Sequence, residues 1–90
     1  LADLYYMPLA PHNICSPIGT YAMMHVCATV PNFLALEFHH LDNELWSNLT
    51  QEGPMIVNGH INVPEKPGLG ITLDENVVKS SAKEILGFFD

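Results

Sequence analysis

Two short apolar runs, each closing on one polar side chain, constrain this chain more than anything else in it. Met7-Pro8-Leu9-Ala10-Pro11 ends on His12, and Phe33-Leu34-Ala35-Leu36 ends on Glu37. Apolar residues in a row, without alternation, are the pattern of a strand covered on both faces, and such strands are mostly parallel. A parallel pair needs a crossover of a dozen or more residues between its members. Residues 16–30 have that length and a helical pattern.

The crossover carries its own start and stop. Ser16 suits an N-cap, Pro17 suits the first helical position, where its missing N–H would be unpaired anyway, and Pro31 is the expected stop. Gly19, Met23, Val26, Cys27 and Val30 fall on one helical face, which Ile18, Tyr21, Ala22, Ala28 and Thr29 widen. A helix this apolar packs on a sheet and between neighbouring helices. The fold class is therefore α/β, with parallel strands near 7–11 and 33–37. In a barrel of alternating strands and helices the chemistry sits at the C-terminal strand ends, so His12 and Glu37 would share one rim.

Residues 38–48 mix aromatics, histidines and acids without a period and read as a loop following the second strand. Loops at such a rim often contribute to sites, which makes His39, His40 and Trp46 candidates for lining a pocket. Two apolar runs between Pro54 and Pro64 are split by Asn58-Gly59, a strong hairpin signal because a type I′ turn needs positive φ at both central positions. Residues 65–70 form a turn-rich connector. A second helix is expected from Thr72 and Glu75 as a capping-box pair, with Val77, Val78, Ala82 and Ile85 as its apolar face and Gly87 as its end. Residues 1–6 read as the end of a helix.

Charge narrows the partners. Ten acidic residues against three basic ones give a net charge of -7, and no arginine is present. A phosphate backbone demands clusters of Lys and Arg, so nucleic acid and anionic membrane are excluded as partners. No apolar run approaches the ~20 residues that span a bilayer, and the expected location is the cytoplasm. The chain is 48% hydrophobic and only 14% charged, well below the roughly 25% charged residues of an average domain. That balance, with no initiator methionine, suggests surface meant for other chain segments and a piece of something larger.

Several other chemistries are weak. Cys15 and Cys27 read as buried free thiols in preference to a disulfide. His12, Cys15, His25, Cys27, His39 and His40 are zinc-capable types, but their spacing matches no usual zinc framework. No phosphate-cradling glycine loop occurs. His12 alone is most often a structural histidine. Glu37 is more informative, because a carboxylate ending a buried apolar run needs a partner or a function to offset its desolvation. Together they offer an imidazole acid or base with a hydrogen-bonding carboxyl beside it.

The strings Ala10-Pro11-His12-Asn13, Ser16-Pro17-Ile18-Gly19, Pro31 to Phe38 and Val63 to Ile71, in that order, resemble the C-terminal part of the enolase superfamily. Within it the chain is similar to the mandelate racemase / muconate lactonizing enzyme group, and there to acid-sugar dehydratases of the gluconate and galactonate kind. The resemblance implies a (β/α)7β barrel with a separate capping domain. Residues 1–50 would be the end of the barrel, with its last two parallel strands and their crossover helix. Residues 51–90 would be a tail with a hairpin and helix returning toward the cap.

The same resemblance implies roles. His12 matches a histidine that works with an aspartate of the preceding strand as general acid or base, and Glu37 a glutamate that hydrogen-bonds the substrate carboxylate and helps stabilise an enediolate. His39 and Trp46 are further candidates for substrate binding by their place in the loop after the second run, and the resemblance carries no role onto them. The implied reaction is magnesium-dependent dehydration of a sugar acid to a 2-keto-3-deoxy acid, with the Mg2+ ligands, the dyad aspartate and the opposing base on strands upstream of this chain. A homo-oligomer is implied as well. The alternatives are a racemase, epimerase or cycloisomerase on the same scaffold, and, in another class, a non-catalytic structural or interaction module.

Overall fold

A computed structural model describes residues 1–39 and 44–82. Its organising contact is a parallel bridge between Leu9 and Phe33. The Leu9 N–H donates to the Asn32 carbonyl at 2.8 Å and the Leu34 N–H to the Leu9 carbonyl at 2.8 Å. Among the described residues no regular strand forms, so the strands expected at 7–11 and 33–37 are reduced to this one rung.

Proline explains why the ladder stops. The next parallel rung would need an N–H from residue 11, and Pro11 has none. Its carbonyl instead accepts from the Glu37 N–H at 3.2 Å. In the other direction the Met7 N–H turns back to Ala2, closing a short 3-10 helix at Ala2–Tyr5, and the Asn32 side chain takes the Met7 carbonyl at 2.7 Å. The apolar runs are also not buried as expected: Leu34 is 67% exposed, and Leu9 and Phe33 are exposed too. Among the described residues each run pairs along one edge, with the other run.

The crossover helix, α1, spans Pro17–Cys27, with Ser16 at the N-cap position and Pro17 at its start. It ends before Pro31 is reached. The Val26 carbonyl accepts both the Thr29 N–H and the Thr29 hydroxyl, and the Cys27 carbonyl accepts the Val30 N–H, so a turn closes the helix early. The buried stripe is Pro17, Thr20, Tyr21, Met24 and Cys27, and this corrects the face expected from apolar spacing. The helix is apolar almost all round, which leaves apolar spacing unable to choose a face. A polar residue, Thr20, marks the buried side because its hydroxyl has partners there.

Beyond the second run, part of the expected loop is a short helix, α2, at Glu44–Asn48. Thr50 then forms an antiparallel bridge with Leu73. The Gln51 N–H donates to the Thr72 carbonyl and the Asp74 N–H to the Leu49 carbonyl, while the Glu52 carboxylate accepts the Thr72 N–H. Asn58 and Gly59 have φ of 52° and 74°, and Val57 and His60 exchange both backbone hydrogen bonds across them. That is the tight two-residue turn the Asn-Gly pair favours.

The last described helix, α3, is Glu75–Ser81. Its N-cap is Asp74 rather than Thr72: the Asp74 carboxylate accepts the N–H groups of Asn76 and Val77, and Thr72 is held instead in the pairing with 50–52. Ile85 and Gly87 lie outside the described residues. Among the described residues the buried side chains are few: Pro17, Tyr21, Met24 and Cys27 among apolar residues, and Asn13, Thr20 and Thr50 among polar ones. Among the described residues no helix is long and apolar enough to cross a membrane.

Candidate active site

The bridge at Leu9 and Phe33 sets two chain ends side by side. Three residues past Leu9 stands His12, four past Phe33 stands Glu37, and the imidazole Nδ1 lies 2.5 Å from the carboxylate Oε2. The Glu37 N–H bond to the Pro11 carbonyl holds the backbones together immediately beneath. A histidine bonded through Nδ1 to a carboxylate has its ring orientation and tautomer fixed, which leaves Nε2 to face a reactant. Both side chains are exposed, His12 by 74% and Glu37 by 40%, so the pair stands open to solvent on one side.

The site extends on both flanks of Glu37. His39 brings Nε2 to 3.6 Å from Oε1, so two imidazoles stand at opposite oxygens of one carboxylate. The Asn13 backbone N–H donates to Oε2 at 2.8 Å. That hydrogen bond, before the charges of His12 and His39, holds the Glu37 carboxyl below its ordinary value of 4.5 against the opposing effect of partial desolvation. Glu37 is therefore ionised at neutral pH.

Asn13 is a residue that pattern reading passed over. It is 2% exposed, and its side-chain amide donates to the Thr20 hydroxyl and to the Glu37 backbone carbonyl, both at 3.0 Å. Its carbonyl accepts the Cys15 N–H at 3.3 Å. The available signal was chemical: an Asn directly after a candidate site histidine and before a helix start is well suited to bonding local backbone.

The other candidates lie apart. Trp46 packs its ring on Phe38 with centroids 6.3 Å apart, and both line a small hollow with Pro17, Pro54 and Ile56 that includes none of His12, Glu37 and His39. His40 lies outside the described residues. His25 bonds the Leu69 carbonyl at 3.0 Å, tying α1 to the connector 44 positions on, and His60 bonds the Asn58 carbonyl at 2.8 Å within its own turn; both are structural bonds away from Glu37. Cys15 and Cys27 are both free thiols, but Cys15 is exposed rather than buried, and burial pushes the Cys27 thiol pKa up.

Magnesium takes several oxygen ligands in near-octahedral geometry. Among the described residues no group of three or more His, Cys, Asp or Glu side chains comes together, and the one carboxylate of the site is already engaged by an N–H and two imidazoles. These residues do not fit a magnesium site on their own.

Comparison with known proteins follows the same residues. The family described as enolase C-terminal domain-like matches residues 1–77. A D-xylonate dehydratase of Haloferax volcanii is 50% identical over 90 residues, all of this chain and 22% of that protein. A D-gluconate/D-galactonate dehydratase of Picrophilus torridus is 38% identical over 71 residues, 79% of this chain and 18% of that protein. The crystal structure of a mandelate racemase/muconate lactonizing enzyme-like protein from Rubrobacter xylanophilus superposes with a TM-score of 0.83 at 47% identity, covering 92% of this chain and 22% of that one. The chain thus spans about a fifth of the length of the relatives it matches.

Proposed function

The chain belongs to the enolase C-terminal domain-like family, and from that premise we propose that it is the C-terminal portion of a longer enzyme that dehydrates a sugar acid. The substrate class is an aldonate such as D-xylonate, D-gluconate or D-galactonate, and the product a 2-keto-3-deoxy acid. In this reading residues 1–50 close a (β/α)7β barrel with its last two strands, and residues 51–90 return toward a capping domain. The magnesium ligands, the α-proton base and the aspartate partner of His12 belong to segments outside this chain. A cytoplasmic homo-oligomer is part of the same proposal.

The observation that carries the reading is the meeting of His12 and Glu37 at the ends of two parallel-paired segments. Elimination from a sugar acid has two parts. Removal of the α-proton leaves an enediolate, and the β-hydroxyl then departs with the electron pair of its C–O bond. Hydroxide is a poor leaving group, so an acid must deliver a proton to that oxygen as the bond breaks. His12, anchored through Nδ1, offers Nε2 for this transfer. The resulting enol takes up a proton at the β-carbon to give the keto acid, and water is the second product.

Glu37 takes the substrate's carboxylate end. It is ionised in the free chain, and a second carboxylate arriving beside it raises its pKa by like-charge repulsion. A proton gained there serves as a hydrogen bond to the substrate oxygen. That bond strengthens as the oxygen gathers charge in the enediolate, which favours the transition state over the ground state.

The test is product analysis with the full-length protein. Incubation with a panel of aldonates and magnesium should give 2-keto-3-deoxy acid from at least one. Exchange of the α-hydrogen with solvent deuterium, with inversion and no loss of hydroxyl, would replace dehydration by racemisation or epimerisation. Absence of both exchange and elimination across the panel would overturn the proposal.

A further inference from the structure

We propose that Asn13 is a positioning residue that fixes the Glu37 carboxylate, acting through its own backbone N–H and a buried side-chain bridge to Thr20. The proposal rests on the reading of Glu37 as a substrate-contacting group and deepens it.

The geometry is specific to Glu37. Asn13 holds this one residue at two points, its N–H donating to Oε2 at 2.8 Å and its carboxamide donating to the Glu37 backbone carbonyl at 3.0 Å. One residue thereby sets the position of the Glu37 main chain and the direction of its side chain. The second carboxamide hydrogen goes to Thr20 Oγ1 at 3.0 Å, and that hydroxyl donates onward to the Cys15 carbonyl at 3.3 Å. Thr20 is fully buried in the first turns of α1. The bridge therefore refers the Glu37 carboxylate to the crossover helix.

Burial makes this arrangement costly to leave incomplete. Among the described residues few apolar side chains are buried, and two of the most enclosed side chains are Asn13 and Thr20. A buried carboxamide is tolerated only when its donors and acceptor are satisfied, and here each has a partner. The residue type follows. Aspartate would lose both donors and turn a negative charge toward the Glu37 and Thr20 oxygens, and glutamine is one methylene too long for the same three bonds. No other residue in the turn 13–16 bonds Glu37 through its side chain among the contacts described.

A purely structural tie would affect folding without acting through Glu37, and a double-mutant cycle separates the two. In the full-length protein Asn13→Ala is expected to lower kcat about 100-fold, the scale of a misplaced catalytic group. Thr20→Val, which removes the hydroxyl and keeps the shape, should lower kcat about 3- to 10-fold by the same route, with Thr20→Ser restoring it. The basic limb of the pH profile, where the proton that Glu37 offers the substrate is lost, should move upward in both variants, since a backbone N–H no longer held against Oε2 lets the Glu37 pKa rise.

In a Glu37→Gln background neither substitution should cost more, because the group they position is gone. If Asn13→Ala does not fold, the Thr20 pair carries the test. Losses that add in full to that of Glu37→Gln, or kcat within twofold of the parent for the Thr20→Val protein, would overturn the proposal. Should the parent protein turn over no aldonate, the reading of the reaction fails separately. Crystal structures of the full-length parent and its Thr20→Val form then decide the positioning: displacement of Glu37 Oε2 from the Asn13 N–H supports it, and an unmoved carboxylate overturns it.

Discussion

His12 Nδ1 and Glu37 Oε2 meet at 2.5 Å although each residue closes a different segment and α1 lies between them in the chain. The register of one parallel rung produces this. Leu9 opposite Phe33 leaves His12 and Glu37 at the same level, and the Glu37 N–H bond to Pro11 keeps them there. A slip of one residue would turn the Glu37 side chain to the other face of the pair. The site is thus a consequence of pairing register, to which the side chains add orientation and charge.

Replacing His12 removes the acid of the proposed elimination without touching the core. His12→Asn in the full-length protein should lower dehydration by about 100- to 10,000-fold, the usual contribution of a positioned acid or base. The exposed location predicts a change in stability within about 0.5 kcal/mol. Exchange of the α-hydrogen with solvent should survive, because a different base removes it. Near-normal dehydration by this variant would take His12 out of the mechanism, and loss of exchange as well would make it the α-proton base.

The acid side of the stability profile should carry the signature of Glu37 and Glu52. Both carboxyls are held below their ordinary 4.5, chiefly by backbone N–H groups of Asn13 and Thr72 respectively. Between the folded and unfolded pKa values the unfolded chain binds more protons, so stability rises with pH there. Their contribution is complete above about pH 4.5 and is lost as pH falls through the folded values. The gap in melting temperature between the parent and a Glu37→Gln, Glu52→Gln protein should be constant from pH 7 to 5 and close below 4.5. A gap that persists at pH 3 would contradict this assignment.

Much of this was legible in the sequence, for identifiable reasons. The parallel pairing of the two apolar runs, the crossover and the Asn58-Gly59 turn declare themselves because a parallel connection, a helix start and positive φ each demand particular residues, whereas the burial expected of the runs is absent at Leu9, Phe33 and Leu34. The buried face of α1 did not, since a helix apolar on every side carries no directional signal and Thr20, on the buried side, is not one of the residues that apolar spacing picks out. The Asp74 cap was hidden by Thr72, which matches the capping-box spacing but is taken by a pairing with residues 51 and 52. Such long-range pairings are set by tertiary context and leave no local trace. Asn13 has a local clue in its type and its place before a helix start, but its partners Thr20 and Glu37 lie 7 and 24 positions away.

His39 should matter less than His12. Its contact with Glu37 Oε1 is 3.6 Å long and its side chain is 54% exposed, so the interaction is screened by water. Exposed ion pairs are worth about 0.2 to 1 kcal/mol. His39→Ala is therefore expected to change kcat/KM by no more than about fivefold, the factor that corresponds to 1 kcal/mol. A loss near that of His12→Asn would show His39 to contact the substrate directly.

Gly19 admits no side chain. A Cβ built there would lie 2.6 Å from the Cys15 Cβ and 3.2 Å from its sulfur. The Cys15 Cβ is fixed to the turn backbone and cannot swing aside. Overpacking of this kind costs about 1 to 3 kcal/mol, which exceeds the roughly 1 kcal/mol that alanine gains over glycine in a helix. Gly19→Ala should lower the denaturation midpoint, and adding Cys15→Gly should recover part of the loss by removing the opposing Cβ. A midpoint raised by Gly19→Ala alone would mean that the turn at 13–16 shifts freely.

The isolated 90 residues should associate and should not turn over a sugar acid. Their accessible surface is 6816 Å², against the roughly 5,200 Å² of a compact monomer of this mass. Leu1, Leu4, Tyr6 and Leu34 are each more than two-fifths exposed, and a groove of about 560 Å³ opens between Met24, Cys27, Phe33, Leu36, Ile61 and Val63. Apolar surface on this scale drives self-association unless other segments cover it. Sedimentation should show oligomers that grow with concentration, and a hydrophobic dye should bind. The His12 and Glu37 pair would still be present but would lack the groups that take the α-proton and stabilise the enediolate. A purified fragment that stays monomeric, melts cooperatively and dehydrates an aldonate with magnesium would refute both this prediction and the reading of the chain as one portion of a larger enzyme.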